Sequence, residues 1–67
     1  MKYLDKTLEL LRDSQWHSIM FLEKEISLPN EKLNTILFFL QEHGFIEKEN
    51  EKMRITPLGL RFLELSS

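Results

Sequence analysis

The sequence has no cysteine, only two glycines and two prolines, and no surplus of positive charge. Without cysteine there is no disulfide, thiolate zinc site or thiol nucleophile. Two glycines leave no Gly-rich loop to cradle phosphates. Nine Lys and Arg stand against eleven Asp and Glu, a formal net charge of -2, which excludes a polycation that coats nucleic acid through charge alone. No apolar run approaches the roughly 18 residues of a membrane span, and no basic-then-apolar-then-small leader opens the chain. These absences lead us to expect a soluble, cytoplasmic domain.

What is present is globular: 42% apolar and 30% charged over 67 residues, enough for one domain spanning 1–67 and no separate catalytic lobe. Domains this short bury only about 60% of their unfolded surface and are marginal as monomers. Five Phe, one Trp, one Tyr and a long series of leucines exceed what one small core hides, which points to self-association.

Hydrophobic spacing predicts four helices and a hairpin. From Lys2 to Asp13, Tyr3, Leu4, Leu8, Leu10 and Leu11 form a broad stripe, with Lys6, Glu9 and Arg12 opposite. Asp13-Ser14-Gln15 ends that helix. Ser18 is the expected N-cap of a second helix carrying Ile19, Leu22 and Ile26, which stops near Ser27 because Pro29 disfavours helical dihedrals at Leu28. A third helix starts with Pro29 at its first position or Asn30 as its cap and runs to His43, with Gly44 closing it. Its apolar face is Leu33, Ile36, Leu37 and Leu40; Glu31, Asn34, Thr35, Phe38 and Glu42 lie opposite, with Phe39 on the flank of the core face. Segments 45–49 and 52–56 flank Asn50-Glu51 as a hairpin, with Met53 and Ile55 on one side and Lys52, Arg54 and Thr56 on the other. Thr56 as N-cap and Pro57 at the first position open a last helix, with Leu58, Phe62 and Leu65 on one side and Leu60 and Leu63 on another.

Two motifs at this separation resemble the winged helix-turn-helix family. Leu37-Phe38-Phe39-Leu40-Gln41-Glu42-His43-Gly44-Phe45-Ile46 is similar to the L-x-x-L-x-x-x-G-hydrophobic-hydrophobic close of its third helix. Ile55-Thr56-Pro57-Leu58-Gly59 is similar to its hydrophobic-T-x-x-G step into the last helix. The resemblance covers nearly the whole chain and looks closest to small archaeal DNA-binding regulators. It implies a mainly helical fold with a small hairpin wing: a three-helix core, the hairpin and a C-terminal helix. It also implies a homodimeric transcriptional regulator bound to double-stranded DNA, with the third helix in the major groove and the wing on the backbone. On this chain the positions facing DNA are then Asn30, Lys32, Asn34 and Thr35 on the helix, and Lys48, Asn50, Lys52 and Arg54 on the wing.

The chain departs from the family where many members place Lys or Arg and it has Phe38 and Phe39. Its third helix sets one base, Lys32, against Glu31 and Glu42, while Glu47, Glu49 and Glu51 interleave the wing's cations. The alternative is a protein-interaction module that binds through the Phe38 face, with Met20 and Phe21 nearby, and no DNA. For the homodimer, apolar residues beyond the needs of one core, Tyr3, Leu10, Leu60 and Leu63, are the expected interface.

No constellation points to catalysis. His17 and His43 fall on separate elements without a third ligand at metal spacing, and His43 suits the C-terminal end of a helix dipole. Ser18 lacks a local His and carboxylate arrangement. Neither enzyme activity, cofactor nor metal is expected.

Overall fold

The 3.6-residue spacing of the N-terminal leucines becomes a helix in the computed structural model, which describes residues 2–66. Helix α1 spans Lys2–Leu10 and buries Leu4, Thr7 and Leu8. The hydroxyl of Thr7 donates to the Tyr3 carbonyl at 2.7 Å, so its burial leaves no orphan polar atom. The helix stops three residues short of Asp13 because its last turn tightens: Leu11 N and Arg12 N bond to the Leu8 and Glu9 carbonyls, and Ser14 adopts φ 63°.

A two-residue strand, β1 (His17–Ser18), follows; hydrophobic alternation cannot announce so short a segment. Helix α2 (Ile19–Glu25) has Ser18 as its N-cap, accepting from Phe21 N at 3.2 Å. Helix α3 (Asn30–Glu42) begins differently from either expected arrangement. Pro29 is itself the flanking cap residue, with φ -59° and ψ 148° and no side-chain bond, and Asn30 is the first helical residue. Proline serves here because its fixed φ suits the position and its carbonyl accepts from Leu33 N at 3.0 Å. At the other end Gly44 takes φ 76°; Gly44 N bonds to the Gln41 carbonyl and Phe45 N to the Leu40 carbonyl, a Schellman closure.

Strands β2 (Ile46–Glu49) and β3 (Lys52–Ile55) form the hairpin, with Ile46 opposite Ile55, Glu47 opposite Arg54, Lys48 opposite Met53 and Glu49 opposite Lys52. Asn50 makes the turn possible at φ 58°, a conformation its short polar side chain tolerates. Strand β1 adds to the free edge of β3, giving an antiparallel sheet in the order β1-β3-β2.

Helix α4 (Pro57–Ser66) starts as its sequence predicts, with Thr56 Oγ1 accepting from Gly59 N at 3.0 Å. Its inward line is Gly59 and Leu63, so Leu63 is 4% exposed and part of the core rather than a surface for a second copy. The two proposed α4 faces each lose a member to solvent or core: Leu58 and Leu65 are 49% and 85% exposed. The core joins Leu4, Leu8 and Leu11 to Leu22, Ile26, Leu33, Leu37 and Leu40, and is closed by Ile46, Met53, Ile55 and Leu63. No helix among the described residues is long and apolar enough to cross a membrane.

Candidate nucleic-acid interface

The flank of α3 that faces the hairpin is exposed at Asn34, Phe38 and Gln41, which fall at successive turns. Together with Lys48 of β2 and Ile19 of α2 they line a groove of about 310 Å³ floored in part by Met53. Lys48 reaches this side because it pairs with Met53, and residues paired across a sheet share a face. It is the one charged side chain among the described residues that line the groove. Phe38, 64% exposed, has no place in the core, whereas Leu37 beside it is buried.

The remaining candidates are dispersed. Lys32 and Thr35 line the opposite flank of α3, with Tyr3, Leu28 and Ile36, and the Thr35 hydroxyl donates to the Glu31 carbonyl at 2.9 Å. Asn34 and Thr35, adjacent in sequence, are thus on different sides, because successive helical residues are separated by about 100°. Asn30 is exposed at the start of α3, and Asn50 at the tip of the hairpin.

Lys52 and Arg54 occupy the outer face of the sheet, away from the α3 groove. Arg54 Nε donates to Glu47 Oε1 at 3.0 Å, its Nη2 donates to the same oxygen, and its guanidinium lies 4.4 Å from the centre of the Trp16 ring. Its charge is already answered by a carboxylate and an aromatic face, which weakens it as a phosphate ligand. Lys52 stands opposite Glu49. Of the eight expected positions, Asn34 and Lys48 share this groove, Lys32 and Thr35 share the other flank of α3, and Asn50 and Lys52 share the end of the hairpin. Phe38 and Gln41 complete the groove, and their spacing from Asn34 by four and seven residues is the available signal.

The histidines are structural. His17 Nε2 donates to the Asp13 carboxylate at 2.9 and 3.0 Å, and its ring stacks on Phe21 with centroids 4.6 Å apart. The Gln15 backbone N–H and then the His17 side chain hold the Asp13 carboxyl below its usual pKa. The Phe39 carbonyl accepts from His43 Nδ1 at 3.0 Å, at the end of α3. No group of three or more His, Cys, Asp or Glu side chains that could hold a metal ion occurs among the described residues.

A shelf of partly exposed aromatics runs from α3 to α4: Phe39 and His43 at 4.2 Å, His43 and Phe45 at 6.0 Å, and Phe45 and Phe62 at 4.7 Å between centroids. Comparison with family models, curated proteins and solved structures finds no match to the chain.

Proposed function

We propose that the chain is a winged helix-turn-helix protein that binds double-stranded DNA as a homodimer and acts in the cytoplasm as a transcriptional regulator. Helices α2 and α3 serve as the helix-turn-helix and β2–β3 as the wing. One observation carries this reading: the free face of α3 presents two carboxamides, Asn34 and Gln41, beside a lysine on the hairpin. Side-chain amides match the donor and acceptor pattern of base edges, and a hairpin cation beside them suits the flanking phosphate.

The charge balance then dictates how such a protein binds. With Lys48 the one cation lining the groove, counterion release contributes little, so affinity rests on base contacts and on two copies acting together. Of the expected dimer residues, Tyr3 at 40% exposure and half-buried Leu10 and Leu60 remain available on α1 and α4.

Fluorescence anisotropy with a pool of labelled duplexes, repeated over rising salt, tests the reading. We expect log K to fall linearly with log salt, by about 0.9 for each phosphate neutralised. No binding at the lowest salt refutes it. The second reading, a protein-interaction module, is favoured by Phe38 and Met20, 64% and 72% exposed. It requires Phe38→Ala to abolish capture of a partner while hairpin charges have no effect.

A further inference from the structure

We infer that the groove between α3 and the hairpin selects two A·T pairs about three base-pair steps apart, read by Asn34 and Gln41, with Phe38 packed on a thymine methyl between them. This rests on the DNA-binding reading above and goes beyond it in naming the bases.

The inference follows from which hydrogen-bonding groups the free face of α3 offers. A carboxamide has one acceptor and one donor group side by side, matching adenine N6 and N7. Guanine presents two acceptors, O6 and N7, and needs two donors from one side chain, which Arg or Lys supplies. Helix α3 has no Arg, and its one Lys, Lys32, lines the opposite flank beside Tyr3 and Leu28. Glu31 and Glu42 are exposed on the side of α3 next to Phe38 and do not line the groove; a carboxylate accepts from cytosine N4, so neither acid reads a G·C pair from within it. The α3 side chains that line the groove are therefore equipped for adenine and not for guanine.

Spacing comes from helix geometry. Residues seven apart lie about 10 Å apart along an α-helix and on the same side. That distance corresponds to about three steps of a duplex rising 3.4 Å per base pair along each strand. Phe38 falls between the two amides, and its exposed ring, unused by the core, is suited to a thymine C5-methyl.

The test is selection from a random duplex library with wild-type protein, Asn34→Ala and Gln41→Ala, followed by sequencing and by anisotropy on the winning site. Both side chains are exposed, so both variants should melt with the wild type. We expect two enriched A·T pairs at the stated spacing. Changing either pair to G·C should weaken binding on the order of 10- to 100-fold, and each alanine variant should lose the preference at one position only. DNA binding with G·C enriched at those positions overturns the inference and leaves the proposed function standing. So does an A·T preference that survives both substitutions, since it then comes from duplex shape. No DNA binding at low salt by a folded protein overturns the proposed function and this inference together.

Discussion

Replacing Gly59 by alanine should destabilise the protein, against the ordinary rule for a helix. In an unencumbered helix interior alanine is favoured over glycine by about 1 kcal/mol. Here a Cβ would lie 2.1 Å from the Phe45 carbonyl oxygen and 2.7 Å from Ile55 Cγ1, where real Cβ contacts keep at least 3.0 Å. The carbonyl cannot yield alone, because it accepts from Thr56 N at 3.0 Å and belongs to the residue whose N–H closes α3 on Leu40. Helix α4 must therefore move off the hairpin. That movement stretches the bond from Thr56 Oγ1 to the Gly44 carbonyl, now 2.6 Å, and loosens Leu63 in the core. Overpacking of this kind costs about 1–3 kcal/mol, and a weakened hydrogen bond adds about 1 kcal/mol. After the gain in helix propensity, a net loss of about 1–3 kcal/mol remains, a large share of the few kcal/mol expected for so small a domain. Urea unfolding of wild type and Gly59→Ala, followed by far-UV circular dichroism, measures it. A midpoint for Gly59→Ala at or above wild type refutes the packing argument.

Leu37→Ala or Leu40→Ala should each cost about 2–5 kcal/mol, read by the same unfolding curves, since both leucines are buried in the core cluster. Asp13 has its pKa lowered by the Gln15 N–H and His17, so the stability it contributes is present above the usual carboxylate range and is lost as pH falls through its lowered value. Asp13→Asn should accordingly lower the melting temperature at neutral pH and flatten its acid dependence; equal acid dependence in the two proteins would contradict this. In the salt titration, Lys48→Ala should reduce the slope by about one unit, whereas Arg54→Ala should leave it nearly unchanged because Glu47 already neutralises that guanidinium. Sedimentation at micromolar concentration should show a dimer, and Tyr3→Ala should weaken it while melting like wild type at matched low concentration; a wild-type monomer would sink the assembly proposal.

Legibility in the sequence followed the range of the interactions. The period of α3, its Gly44 closure and the Thr56-Pro57 start of α4 are local signals, settled within one or two turns, and each appears in the structure. Strand β1 is not local: His17 and Ser18 become a strand only because β3, some 35 residues later, presents them a free edge at Met53 and Lys52. From that register follows the seat of Arg54 beside Trp16, which no spacing rule could supply. The grouping of the candidate interface depends on the same long-range contacts. Helical spacing puts both Asn34 and Thr35 opposite the apolar face of α3, yet the elements that flank α3, the hairpin on one side and α1 on the other, divide them between two surfaces. An amphipathic pattern with leucines on two sides does not show which side the core takes, so the sequence leaves Leu63 open to a place at a dimer interface; Gly59, by permitting close approach, turns it inward.

The residues that carry the family resemblance hold the fold rather than the candidate surface. Leu37 and Leu40 are core, Gly44 closes α3 at φ 76°, and Thr56 both caps α4 and ties it to the Gly44 carbonyl. Gly59 is the point where α4 meets the Phe45 carbonyl. Each fixed position of the two motifs that is visible in packing is thus accounted for by closure of the chain on itself. Phe38 and Gln41 occupy variable positions of the first motif, and Asn34 and Lys48 fall outside both. Chains that share this fold can therefore differ at all four without disturbing a core contact, and a resemblance built on the fixed positions carries architecture but not ligand. It follows that substitutions at Asn34, Phe38, Gln41 and Lys48 should alter binding with little change in melting, whereas substitutions at Leu40 or Gly59 should remove both together. That separation of surface from scaffold makes the binding experiments interpretable, because a lost contact at the groove can be told apart from a lost fold.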